Sequence, residues 1–156
     1  MIQFAVEALK VVQPDIESLL PAQWAHTGDV DIDCKPNWPL YNQFAERGAL
    51  MVVVGRDLDQ IVGYLAAFIY PHPNSVDRLV AEIPTYFVLN RPTRALVMAR
   101  MVDYAVEKLA EKGVFKVRIE TNAEHSAARL WELRGFKLDR LGYSMQLEKP
   151  TGALHA

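Results

Sequence analysis

The chain has 156 residues, 51% of them hydrophobic, which is the length of one domain and enough apolar material for one substantial core. Its formal net charge of −2 lacks the basic surplus that phosphate-dominated binding needs, so nucleic acid is not expected as a main partner. Cys34 is the single cysteine, which excludes an internal disulfide and a multi-cysteine metal site and fits a reducing cytoplasm; no apolar run approaches the roughly 20 residues that span a bilayer, so no membrane association is expected.

In chain order, residues 3–9 mix apolar and polar positions like a strand, and residues 14–26 carry Ile16, Leu19, Leu20 and Trp24 at helical spacing. Residues 27–39 hold Gly28, Asp29, Asp31, Asp33, Pro36, Asn37 and Pro39 without periodicity, which predicts a loop. A short helix over 39–47 follows, stopped by Gly48, the residue best suited to a left-handed cap. Residues 50–56 and 60–70 are rich in Val, Ile and Tyr and flank RDLD, the pattern of a β-hairpin. After a PHPNS loop comes a strand over 78–89. Residues 94–112 then place Met98, Met101, Val102, Ala105 and Leu109 on one helical face before Gly113. Residues 114–121 alternate as a strand, 126–133 read as a short helix ended by Gly135, and 141–148 alternate as a closing strand. The last residues, 150–156, are expected to be a disordered tail behind a single domain spanning 1–149.

Three features in the second half carry chemistry. The turn NRPTR places Arg91 and Arg94 where a helix begins, at the end whose dipole disfavours cations unless an anion sits there. Pro92 disfavours helical backbone at Arg91 and fits the first helical turn, so the helix is expected to begin at or after it. In AEIPTYFVL, Pro84 has no N–H to give to a ladder and predicts a bulge or an unpaired segment; a sheet edge is the alternative. Glu82 stands on the same strand, where a surface glutamate would pair with Arg78 or Lys116.

With these features on one strand, turn and helix, followed by a strand, a short helix and Gly135-Phe136, the chain resembles the Gcn5-related N-acetyltransferase (GNAT) superfamily over nearly its whole length. It is most similar to short acetyltransferase-like proteins of phages and prophages, through Gln23-Trp24, NWPLYNQFAERGAL, VGYLAAFIYPHP and GYSMQLEK. The resemblance implies an α/β (α+β) fold with a mixed, mostly antiparallel sheet, a splayed strand pair and helices on both faces. It also implies transfer of an acetyl group from acetyl-CoA to an amine in a ternary complex, without a metal. The acceptor would be a small-molecule or protein amine, and association into a homodimer through the last strands is common in such folds. The alternative is a GNAT-fold binding module that has lost the chemistry.

The resemblance assigns the cofactor pyrophosphate to a Q/R-x-x-G-x-G/A turn, here Arg94-Ala95-Leu96-Val97-Met98-Ala99, with Val97 where Gly is expected; Asn90 to Ala95 is a second register, and Arg91 stands beside both. Helix N-terminal N–H groups bind anions, and glycine lets the backbone approach closely. The same resemblance gives Phe87, Val88 and Leu89 to the pantetheine arm, along with Tyr86, and Glu82 to the base. The segment Ala127 to Phe136 is similar to the family ending in which a tyrosine protonates the departing thiolate; Trp131 holds that place, and Glu124 holds the slot of an expected Asn. Because an indole N–H cannot practically supply a proton, Tyr143 or Tyr86 is expected to act instead. His72 and His125 lack companions at metal-ligand spacing, and Asp31 and Asp33 oppose a reactive thiolate at Cys34.

Overall fold

The computed structural model describes residues 1–27, 32–124 and 126–148. Gly28, Asp29, Asp31, His125 and the expected tail lie outside them. Five strands form one sheet in sequence order: β1 (Ile2–Val6), β2 (Leu50–Asp57), β3 (Gln60–Pro71), β4 (Leu79–Val88) and β5 (Val114–Ile119). The first four are antiparallel neighbours, and β5 runs parallel to β4 because a helix carries the chain back between them.

Helices α1 (Leu9–Thr27) and α2 (Trp38–Glu46) cover one face, and α3 (Arg94–Glu111) and α4 (Ala128–Leu133) cover the other. Helix α1 begins five residues earlier than the pattern around Ile16 suggests, since Leu9 and Val12 extend the same stripe onto Val52, Val54 and Phe87 of the sheet. Its start is tied down by Arg56, whose guanidinium bonds Glu7 at 2.9 Å and Asp15 at 2.7 Å; those carboxylates, Glu7 first, hold the Arg56 pKa above its usual value. Asn37 caps α2 by accepting from the Leu40 N–H at 3.2 Å, and Gly48 ends it at φ +70°, as expected of a left-handed cap. Leu65, Ile83, Met101, Val102 and Leu109 are fully buried between the sheet and α3.

Strand β4 is bulged where Pro84 predicts it. Glu82 pairs with Phe68 and Thr85 with Ala66, so Ile83 and Pro84 together face Ala67 alone. The bulge flips the side-chain parity: Ala81 and Ile83 point to the α3 layer before it, and Tyr86 and Val88 do so after it. Pairing with β5 also stops there, at Ile83 and Ile119, with a last bond from the Glu120 N–H to the Ile83 carbonyl at 3.2 Å. Beyond that point the two strands splay apart.

The expected closing strand over 141–148 is not formed. Among the described residues nothing pairs with this segment, and Leu141, Tyr143, Met145 and Leu147 are at least 73% exposed. Alternation marks which residues would share a face, but a strand exists only where a neighbour takes its N–H and C=O groups. On the approach to this segment Asp139 bonds Arg118 at 2.8 Å and Lys116 at 3.0 Å on β5; these two cations hold its carboxyl down at about 2.

Beside the splay, Gly63 of β3 lies so close to β4 that an added Cβ would stand 2.7 Å from the Phe87 carbonyl oxygen and 2.9 Å from Val88. Both neighbours belong to the ladder and cannot yield cheaply. Gly63→Ala is therefore expected to cost about 1–3 kcal/mol in urea unfolding, and a neutral result would show that the ladder can shift there.

Candidate active site

The gap between the splayed strands opens into a cleft of about 960 Å³. Its floor is Pro84 to Phe87 of β4, and one wall is Glu120, Thr121 and Asn122, which follow β5. Pro92, Arg94, Ala95 and Met98 close it from the start of α3, Arg129, Leu130 and Leu133 from α4 with Ser126 and Ala127 just before it, and Gln23, Trp24 and His26 from α1. A space of this size stands at the upper end of small-molecule sites.

Backbone groups also face the gap. The Leu89 N–H donates to the Val62 carbonyl at 2.8 Å, and counting back in steps of two assigns Phe87 and Thr85 to β3 as well. Tyr86 and Val88 thus turn their N–H and C=O groups toward the open side, where β5 has already departed.

At the start of α3 the first helical turn is unsatisfied. Thr93 occupies the N-cap without a side-chain bond, and the Ala95 and Leu96 N–H groups have no acceptor among the described residues. Arg94 lies over the Phe87 ring, 5.4 Å from its centroid, with Nη1 3.4 Å from His26 Nε2. Its Nε is buried and has no hydrogen-bond partner among the described residues. An unpaired buried donor costs about 1–3 kcal/mol, a cost that an anion at this turn would remove. The cleft therefore fits a phosphate-bearing cofactor at this end, with Arg94, Ala95 and Leu96 as the groups that would hold its anion.

The structure separates the remaining candidates. Arg91 leaves the cleft and pairs with Asp57 at 3.4 Å. Val97 and Ala99 point into the core at 5% exposure, so the side chain standing in for a glycine does not obstruct the cleft. The unpaired N–H groups of this turn, those of Ala95 and Leu96 among the described residues, fall at the start of the Arg94 to Ala99 register, because the helix begins at Arg94 itself. Val88 is core and Leu89 packs under α1, so only Phe87 of that trio lines the cleft with its side chain. Glu124 is not in the lining; its N–H bonds Asn122 Oδ1 at 2.8 Å, and Asn122 is the residue that faces the cleft.

Glu82 precedes the bulge and lines neither this cleft nor the second cavity described below. Its Oε1 accepts from the Tyr70 O–H at 2.6 Å and lies 3.7 Å from Arg118, partners other than the Arg78 or Lys116 that the sequence suggests. Burial, then the bond to Glu82, raises the Tyr70 pKa. Tyr143 is 94% exposed, far from a buried role. Trp131 is 3% exposed and stands edge-on to Tyr86, ring centroids 5.1 Å apart, with its Nε1–H donating to Tyr86 Oη at 3.3 Å. An indole only donates, so the Tyr86 oxygen accepts and its own proton is left for another acceptor; Tyr86 also lines the cleft. Sequence patterning assigned Trp131 and Tyr86 separately; that they form one unit depends on the bulge, which turns Tyr86 toward α4.

The sequence model of the acetyltransferase (GNAT) family matches residues 15–136, most of the chain. This chain belongs to the GNAT acetyltransferase family. Among curated proteins no sequence matches it. Solved GNAT-type structures share its fold at low identity. A ribosomal-protein-alanine N-acetyltransferase from Brucella melitensis biovar Abortus 2308 is 13% identical, with 96% of this chain and 99% of that one covered and a TM-score of 0.75. An aminoglycoside acetyltransferase from an uncultured soil metagenomic sample, in complex with sisomicin, is 15% identical over 94% and 97% at a TM-score of 0.70. A predicted acetyltransferase with acetyl-CoA from Clostridium acetobutylicum is 15% identical over 94% and 96% at a TM-score of 0.69. Among the described residues of this GNAT protein, no helix is long and apolar enough to cross a membrane, and no three His, Cys, Asp or Glu side chains gather as a metal site.

The pairing of Trp131 with Tyr86 is measurable. Trp131→Phe is expected to cost about 1–3 kcal/mol through lost volume and the lost donor, and Tyr86→Phe about 0.5–1.5 kcal/mol. In urea unfolding the double variant should lose less than the sum, with a coupling of about 0.5 kcal/mol or more; strict additivity would separate the two residues.

Proposed function

We infer that the protein transfers an acetyl group from acetyl-CoA to an amine by direct attack, with both substrates bound together. The observation that carries this reading is the buried, unpartnered Nε of Arg94 beside two unpaired helix N–H groups, at the mouth of a cleft made by splayed strands. When bound, acetyl-CoA would supply an acetyl thioester. Arg94 and the first turn of α3 would hold its anionic end, and the open backbone groups of Tyr86 and Val88 would bond its amide-containing arm and polarise the carbonyl under attack.

Proton handling divides between two residues. An amine must lose a proton to attack, and Glu82 is the nearest carboxylate on β4; because it lines neither cavity, the proton reaches it through water. Tyr86 is the group that gives a proton to the departing thiolate, with Trp131 holding the phenol in place. Tyr143 has no part in this, given its exposure. The two departures from the family pattern then do not imply lost chemistry: Val97 is turned into the core, and a tyrosine hydroxyl sits against Trp131. Structural neighbours named for an aminoglycoside and for ribosomal-protein alanine leave both small-molecule and protein amines open as acceptors.

Calorimetric titration with acetyl-CoA tests the reading directly. The unmodified protein should bind, Arg94→Ala should weaken the affinity by about tenfold or more, and Arg91→Ala much less. Absence of binding by the unmodified protein would overturn the assignment. Separately, Tyr86→Phe should lower kcat by about a hundredfold while leaving acetyl-CoA affinity unchanged; an unaltered kcat would remove Tyr86 as the acid.

A further inference from the structure

On the α1/α2 side of the sheet a second cavity of about 350 Å³ meets the cleft, with Gln23, Trp24 and Thr85 lining both. Its walls are Ile16 and Leu20 of α1 and Trp38 and Tyr41 of α2, whose rings stand 5.9 Å apart at 53°; Tyr64 and Ala66 of β3 form its floor. Resting on the acetyltransferase reading, we propose that this cavity seats the acceptor and selects a primary amine carried on one compact apolar arm, such as an arylalkylamine.

Charge decides against a polycation. Among the described lining residues the only charged side chains are Asp33 and Lys35, which neutralise each other at 3.6 Å and are 86% and 83% exposed. Tyr64 is buried and donates to Gln23 Oε1 at 2.5 Å; burial pushes its pKa up to about 12, so it adds no charge. A second or third ammonium would leave water for apolar walls where the one carboxylate among the described lining residues, Asp33, is already paired with Lys35. A single amine avoids that cost. Its arm packs against Trp38, Tyr41 and Leu20, and its nitrogen lies at the junction that Gln23, Trp24 and Thr85 line, where the Thr85 hydroxyl can accept from it. The volume is near the lower end of small-molecule sites and suits one ring and a short chain. From the junction the nitrogen attacks the acetyl carbonyl: the C–N bond forms, the C–S bond breaks, the amine proton leaves through water and the thiolate takes one, giving an N-acetylated amine and free CoA thiol.

Thiol release from acetyl-CoA should be measured with phenethylamine, tryptamine, kanamycin and an alanine-starting peptide. The two arylalkylamines should show kcat/KM values about tenfold or more above the other two. Trp38→Ala should raise KM for phenethylamine about tenfold with acetyl-CoA affinity unchanged, and Trp38→Leu serves the same purpose if the alanine variant does not fold. Turnover that favours kanamycin or the peptide would overturn the proposal and leave the acetyltransferase reading standing. Should acetyl-CoA be neither bound nor consumed, that reading fails, and titration with tryptamine alone decides the cavity: binding weakened by Trp38→Ala supports it, and no binding overturns it.

Discussion

The bulge at Ile83 and Pro84 is the constraint on which the rest of this protein depends. One residue without an N–H, set in the strand that is flanked on both sides, makes two residues face one across β3. Two consequences follow from a single geometric fact. The partnership with β5 ends at Ile83, so the strands part and a cleft exists. Side-chain parity also reverses, so Tyr86 enters the layer of α3 and α4 and meets Trp131, and Thr85 and Phe87 face α1.

Around that bulge the sheet acts as a divider between two kinds of surface. One cleft end is made of unsatisfied donors: the first turn of α3, the buried Nε of Arg94 and the open backbone of β4. Such groups are costly to leave unpaired and form a ready place for anions and amides. The opposite side is apolar and aromatic, built by α1 and α2 against β3. Polar groups thus gather on one side of the sheet and rings on the other. Helix α1 reaches both, and the bonds from Arg56 to Glu7 and Asp15 keep its start in place on the sheet.

Much of the fold was legible because its signals are local. Helical spacing located α3 to within a residue, Val- and Ile-rich runs located β2 and β3, and Gly48 and Gly113 mark stops with positive φ. The reading failed where an element depends on a neighbour. Residues 141–148 alternate as a strand would, yet no partner among the described residues takes their hydrogen bonds. Helix α1 was placed too short because Leu9 and Val12 become apolar-face residues only once the sheet lies beneath them. In the site, the sequence named Arg94, Tyr86, Phe87 and Trp131, and it could not see that Arg91 would turn away to Asp57 or that Asn122 would face the cleft in place of Glu124.

The sequence by itself determined the order of elements, the family resemblance and the break in β4, since Pro84 carries its missing N–H wherever the strand goes. It also set the composition of the residues that line the cleft and the second cavity. Only the tertiary structure decided which arginine points inward, that Val97 is harmless, and that Trp131 gives its N–H to Tyr86. Those outcomes depend on contacts between residues far apart in the chain, and a pattern along one dimension contains no information about which side chains a bulge turns toward one another.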